Sequence, residues 1–139
     1  MRNKYKAKPL VVRFKGVRMK FDSKMEAAEA LRLAELERQG VIADLDLQPK
    51  YEIIPKFRVT TNATKNGKSS RGGRIYTPDF FYYHGLEKVV LEVKGFSDTA
   101  YRLRKELFLM QMHELDIDVF IEVGKDYRYE YRLIKEKGL

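Results

Sequence analysis

A hairpin written into residues 76–95 constrains this chain more than any other segment. Tyr76-Thr77-Pro78-Asp79-Phe80-Phe81-Tyr82-Tyr83 reads as a strand rich in aromatics, and Lys88-Val89-Val90-Leu91-Glu92-Val93-Lys94 reads as its β-branched partner, ending at Gly95. Between them lies His84-Gly85-Leu86-Glu87. Gly85 in the first central position suits a two-residue II′ turn, which needs a positive φ there. That turn sets a register: His84 faces Glu87, Tyr83 faces Lys88, and counting outward puts Asp79 opposite Glu92. Side chains alternate between faces, so Lys94 falls on the same face as both acids.

Two carboxylates opposed across a ladder, with Cβ atoms about 5 Å apart, destabilise the pair. A hard divalent cation relieves this, because carboxylate oxygens are the ligands that Mg²⁺ and Mn²⁺ prefer. Lys94 adds a positive charge beside such an ion, and the set is suited to activating water and stabilising charge on a phosphate. The competing reading is a solvated face on which Lys94 merely neutralises two acids. Pro78 adds one expectation. Its position should donate to the ladder and proline has no N–H, so the strands should part or bulge near Asp79.

The 139 residues suffice for one domain with a core of its own, and a hydrophobic fraction of 44% is ordinary for a globular chain. The absence of cysteine excludes a disulfide framework, a thiolate zinc site and a cysteine nucleophile. It accords with a reducing compartment, and a cytoplasmic location is the expectation. No apolar run approaches the roughly 20 residues that a membrane span needs. The net charge of +8 favours a polyanionic partner, nucleic acid first, with acidic proteins or ribosomal surfaces as the alternative.

Residues 1–10 read as a mobile basic arm and Lys15–Phe21 as a first strand. Asp22-Ser23 opens a helix to about Gln39, stopped by Gly40. Ser23 with Glu26 makes a capping-box pattern, so Glu26 has a plain structural role open to it. It also shares a row with Ala30 and Leu33, where an inward acid would be a natural third group at a metal site. Glu29 shares a row with Leu33 and Leu36, and spacing does not separate the two. Ala43–Leu47 and Tyr51–Pro55 read as strands, with Gln48 between them as a turn amide. Residues 60–74 read as a flexible basic loop. Lys65, Lys68, Arg71 and Arg74 there have no acid among them, which fits either a DNA clamp that orders on binding or a plain hairpin tip. Ser97 or Asp98 caps a second helix to about Leu115, with Leu103, Leu107 and Met110 as its buried row. Met110 and Met112 read as core packing. Arg102 and Lys105 share another face, placed to hold phosphate or simply solvated. Asp118–Val123 is a further strand, and Tyr127–Leu133 an edge strand or a surface for a partner subunit.

Taken in order, these pieces resemble the PD-(D/E)xK nuclease superfamily. The resemblance rests on Ser23-Lys24-Met25-Glu26-Ala27 opening a helix, Gln48-Pro49 before the central hairpin, Pro78-Asp79 before an aromatic strand, and Glu92-Val93-Lys94-Gly95. It is closest to small phage proteins likened to Holliday-junction resolvases and transposon end-cutting nucleases. It implies an α/β fold (α+β by some schemes): a restriction-endonuclease-like αβββαβ core, with a mixed central sheet flanked by helices. It implies a Mg²⁺-dependent endodeoxyribonuclease, with Mn²⁺ as a substitute. Asp79, Glu92 and the Val93 carbonyl would hold the metal, with Glu26 near it. Gln48 would point at the metal or the scissile phosphate, and Lys94 would position or deprotonate the attacking water. The branch implies structure-selective cutting of branched DNA by a homodimer in a bacterial host's cytoplasm, leaving 5′-phosphate and 3′-hydroxyl ends. The alternatives are a non-catalytic nucleic-acid-binding protein on the same fold, and an interaction adaptor using the tyrosine-rich edge strand.

Overall fold

Gly85 takes φ +62 and Leu86 does not join it at positive φ, as a II′ turn requires. The computed structural model describes residues 9–135, and all that follows concerns those. The arm expected over residues 1–10 lies mostly outside the described residues, and Leu10 already belongs to a strand.

β1 (Leu10–Phe14) and β2 (Val17–Phe21) form a hairpin. Its turn residues Lys15 and Gly16 both have positive φ, 50 and 82. Only the second of these strands was expected, because the alternation in Lys15–Phe21 is cleaner than in the arm before it. α1 (Lys24–Arg38) follows, and the Ser23 hydroxyl accepts the Glu26 N–H at 3.1 Å. The remaining elements are β3 (Ala43–Leu47), β4 (Tyr51–Ile54), β5 (Phe57–Thr60), β6 (Lys68–Arg71), β7 (Arg74–Tyr76), β8 (Phe80–His84), β9 (Glu87–Val93), α2 (Thr99–Met110), α3 (Met112–Leu115), β10 (Val119–Gly124) and β11 (Tyr127–Arg132).

The central sheet has five strands in the order β11-β10-β9-β8-β3. β9 and β10 are parallel and the other pairs antiparallel, so the sheet is mixed. β9 is buried on both faces, which explains its near-continuous apolar run. Val89 and Leu91 pack with Ala27, Ala30 and Leu33 of α1 and with Phe14 and Phe21 of the β1–β2 hairpin. Val90 points the other way, into a second core with Tyr101 and Phe108 of α2, Phe120, and Ile53 and Tyr76 of the short β4–β7 ladder. The result is an α+β architecture with apolar packing on each sheet face.

Two expectations need correction. Residues 60–74 do not form one loop: β5 and β6 pair as a two-stranded ribbon, and β7 returns to β4. The glycines and polar residues that suggested a loop are the ribbon's tip and its junction. The buried row of the second helix is also different. Leu103 and Met110 are 60% and 70% exposed, whereas Tyr101 and Phe108 are buried. Several rows of that helix carry apolar residues, and the sheet takes the aromatic one. Phe108 meets Tyr51 and Tyr76 edge-on, at ring-centroid separations of 5.3 and 5.6 Å. The helix breaks at Gln111, after which Met112 is buried in α3 as core packing while Met110 is not.

Candidate functional site

The β8–β9 ladder has the register that the turn dictates, from His84↔Glu87 to Phe80↔Leu91. There the pairing stops, one residue short of Asp79. The next hydrogen-bonded pair would join Pro78 to Val93, and proline has no N–H to give. That leaves the Val93 carbonyl without a ladder donor, and the Val93 N–H goes to the Asp79 carboxylate, whose Oδ2 accepts it at 2.7 Å. On the other side, the Gln48 N–H donates to the Asp79 carbonyl at 2.9 Å. Gln48 sits at φ +53, so the sharp turn after β3 is what aims its amide at Asp79. Asp79 is thus held between the end of β3 and the end of β9.

Glu92 and Lys94 lie beside it. The Lys94 Nζ is 3.8 Å from Glu92 Oε2. The other Glu92 oxygen accepts the Tyr76 hydroxyl at 2.6 Å. α1 brings Glu26 to the same place. Asp79, Glu92, Glu26 and Lys94 line one cleft of about 490 Å³, with Asp22 and Asp98 also on its wall. A second, smaller recess runs from Asp79 and Glu26 toward Gln48 and Lys20. Glu29, the rival on α1, faces elsewhere: it is buried and paired with Arg32 at 2.5 Å and Arg128 at 3.5 Å. Helical spacing could not separate these two glutamates because it carries no information about where Arg128 lies.

Glu26, Asp79 and Glu92 are all pushed above the ordinary carboxylate range. Burial, then the Asp79 charge, then Asp22 push Glu26 up to about 7. Burial raises Glu92, with Asp79 adding to it, against the opposing help of Tyr76 and Lys94. Burial raises Asp79 too, opposed first by the Val93 N–H and then by Lys94. Burial dominates at each, and the two strand carboxyls are close enough to interact directly.

Beneath Lys94 lies a layer that sequence reasoning missed. The Tyr101 ring centroid is 4.1 Å from the Lys94 Nζ, a cation–π contact. The Tyr101 hydroxyl donates at 2.7 Å to Glu122 Oε1, and the Tyr127 hydroxyl donates at 2.6 Å to Glu122 Oε2. Glu122 is itself buried and pairs with Lys105 at 3.0 Å. Lys105, expected on an outward phosphate-binding face, therefore ends in an internal ion pair, while Arg102 stays exposed. The one local clue to the Tyr101 contact is Asp98: its carboxylate caps α2 by accepting the Tyr101 N–H at 2.7 Å. Lys65, Lys68, Arg71 and Arg74 lie on or beside the β5–β6 ribbon, all exposed.

Among the described residues, no three His, Cys, Asp or Glu side chains are already gathered in a metal-binding group. The chemistry of the donors still fits a hard cation. They are carboxylates, they are partly desolvated, and the interactions that raise their pKa values are those a bound cation would reverse. Among the described residues no helix is long and apolar enough to cross a membrane. A family model described as a protein of unknown function (DUF1064) matches residues 2–129. No curated protein matches the chain.

Proposed function

We propose that this chain, which belongs to the DUF1064 family, is a metal-dependent endonuclease that hydrolyses DNA phosphodiester bonds. The observation that carries this reading is the meeting of Asp79, Glu92, Glu26 and Lys94 on one cleft wall. The order α1, β3, β8, β9, α2, β10, with β4 to β7 and α3 set between its members, supports it as well, because it agrees with the helix, three strands, helix, strand order that the resemblance implies. The net charge of +8 suits a polyanionic substrate.

In this reading Asp79, Glu92 and the Val93 carbonyl would hold Mg²⁺, with Mn²⁺ as a substitute and Glu26 near it. Bound there, the ion would supply Lewis acidity, lowering the pKa of water and drawing charge from a phosphoryl oxygen. The protein's own groups do the rest. The Val93 N–H and the Gln48 N–H fix Asp79 from two sides. Tyr76 holds one oxygen of Glu92 and leaves the other toward Lys94. Lys94 offers its ammonium to the charge that grows on the phosphate, or takes part in moving the water proton. The products are 5′-phosphate and 3′-hydroxyl ends. The substrate is branched DNA such as a four-way junction, cut by a homodimer whose two-fold symmetry matches it. The work is done in the cytoplasm, a bacterial host's if the chain is phage-encoded.

The test is a cleavage panel of branched, linear and single-stranded DNA with Mg²⁺, Mn²⁺ or EDTA. Cutting that needs metal and is lost in Asp79→Asn and Lys94→Ala is expected, with branched DNA cut first. Shifted bands with no cutting in any metal overturn the proposal and leave a binding protein.

A further inference from the structure

We infer that the β5–β6 ribbon is a preformed arm that lies along a groove of duplex DNA on one side of the candidate cleavage site. The inference deepens the nuclease reading and rests on it for the position of the cut. Among the described residues the two strands of the ribbon pair only with each other, from Phe57↔Arg71 to Thr60↔Lys68. Its tip is tied by the Thr61 N–H donating to the Gly67 carbonyl at 2.9 Å and the Thr64 hydroxyl donating to the Lys68 carbonyl at 2.9 Å. It is therefore built before any partner arrives.

The arm is rooted at the cleft. The β4–β7 ladder that carries it begins at Tyr51↔Tyr76, and Tyr76 is the residue that holds Glu92. The ladder continues through the Gly73 N–H to the Ile54 carbonyl at 2.7 Å. Beyond it the chain passes Gly72, at φ +77, where a Cβ would lie 1.9 Å from the Pro55 carbonyl oxygen. Only glycine fits that crossing, so the direction in which the arm leaves the body is set by backbone contact.

Its charge is one-sided. Lys56, Arg58, Lys65, Lys68, Arg71 and Arg74 fall in a segment without a single acid. None of these six forms an ion pair among the described residues, whereas Lys15, Arg32, Lys88, Lys105 and Arg128 all do. The faces differ too. Cross-strand partners and next-but-one residues share a face, so Arg58, Thr60, Lys68 and Ser70 make one face of hydrogen-bond donors. Phe57 and Val59 lie on the other, 49% and 42% exposed, beside their cross-strand partners Arg71 and Ser69. An isolated two-stranded ribbon with exposed apolar residues gains little from its own packing. A duplex groove complements both faces: phosphate and base acceptors for the donors, sugar and thymine methyl surface for the apolar side chains. A major groove about 12 Å wide admits a two-stranded ribbon. The run from Tyr51 to Thr60, at about 3.3 Å per residue, reaches at most about 30 Å. That is close to the roughly 34 Å of one helical turn, or about 10 base pairs.

The experiment measures binding of the full chain to fluorescent DNA in EDTA, where nothing is cut, across a salt series. The DNAs share a branch point and differ in the length of one duplex flank. Two variants are compared with wild type: Arg58→Glu with Lys68→Glu, and Phe57→Ser with Val59→Ser. Both should keep the wild-type melting temperature, because the ribbon lies outside both cores. Wild type should lose about tenfold or more in affinity when the flank falls well below about 10 base pairs. The charge variant should bind the long-flank DNA at least about tenfold more weakly, with a salt slope shallower by about two. It should also be indifferent to flank length, and the apolar variant should lose part of the flank dependence. Unchanged affinity and slope in the charge variant overturn the arm. So does an equal loss against heparin and DNA with no dependence on flank length in wild type, which would mean undirected polyanion attraction. Wild-type cutting in Mg²⁺ is scored separately. A ribbon that binds as described in a protein that never cuts sinks the nuclease reading and leaves the arm standing. Cutting by wild type with inert ribbon variants does the reverse.

Discussion

The Asp79 carboxylate accepts the Val93 N–H at 2.7 Å, in the place that the Pro78 carbonyl would take if the β8–β9 ladder ran on. Just beyond the end of the ladder, that contact pins the Asp79 carboxylate beside Glu92. The same contact is a backbone repair and a device for aiming a potential ligand, and substitutions can separate the two roles.

Asp79→Asn keeps an acceptor for the Val93 amide, whereas Asp79→Ala strips it. Both should abolish metal-dependent cutting. Only the alanine variant leaves a buried amide unsatisfied, at a cost of about 1–3 kcal/mol. Urea denaturation at pH 8 without metal should therefore rank wild type above Asp79→Ala, with Asp79→Asn equal to or above wild type. Equal stability of the two variants would show that the contact contributes nothing.

Glu26 and Glu29 should part company. Glu26→Gln removes a desolvated charge from the cleft, so cutting should fall at least about a hundredfold while the melting temperature holds or rises. Glu29→Gln weakens a buried pairing with Arg32 and Arg128, so the melting temperature should fall while cutting persists. Loss of cutting in Glu29→Gln in a folded protein would overturn the assignment of the third acid.

Tyr101 should matter to Lys94 more through its ring than through its hydroxyl. Tyr101→Phe keeps the cation–π surface and loses the bond to Glu122, so it should cost stability with a modest effect on rate. Tyr101→Leu also loses the ring, and a contact of about 0.5–2 kcal/mol corresponds to a further rate loss of about 2- to 30-fold. Single-turnover cleavage at saturating DNA separates them. Equal rates in the two variants would remove Tyr101 from the positioning of Lys94.

The pH dependence follows from the raised carboxyls. Glu26 moves from an ordinary value of 4.5 to about 7 on folding, chiefly through burial. Its protonated form is the better folded one, so its contribution to stability is full below pH 4.5 and is lost as pH rises through about 7. Glu92 shifts in the same direction, for the same leading reason. The metal-free protein should therefore lose several degrees of melting temperature between pH 5 and pH 8. Mg²⁺ should restore more at pH 8 than at pH 5, because it binds the deprotonated acids. Glu92→Gln should flatten the profile. A metal-free profile identical in wild type and Glu92→Gln would show that these carboxyls are not desolvated in solution.

Much of the hairpin is legible in the sequence, because its determinants are local. Gly85 sets the turn, the turn sets the register, and Pro78 ends it. Ser23 and Asp98 cap their helices for equally local reasons: a side-chain oxygen three residues from the amide it accepts. The helix rows were less legible. Leu103 and Met110 carried the right periodicity, yet the sheet took Tyr101 and Phe108, because which row is buried depends on what faces it. The ribbon strands are not legible as strands, since a strand pair without an apolar core leaves little alternation to detect.

Short-range sterics and hydrogen bonds, acting within a few residues, were enough to specify the β8–β9 register, the strand parting at Asp79 and the caps of both long helices. Folding across the sheet was needed to bring Glu26 to the cleft and Glu29 to Arg128, to bring Tyr76 to Glu92, and to slide Tyr101 and its buried Glu122 under Lys94. Those pairings join residues from separate elements. Their free energy comes from desolvation and from side chains meeting in space, and neither quantity is written in the spacing of residues along a single strand or helix.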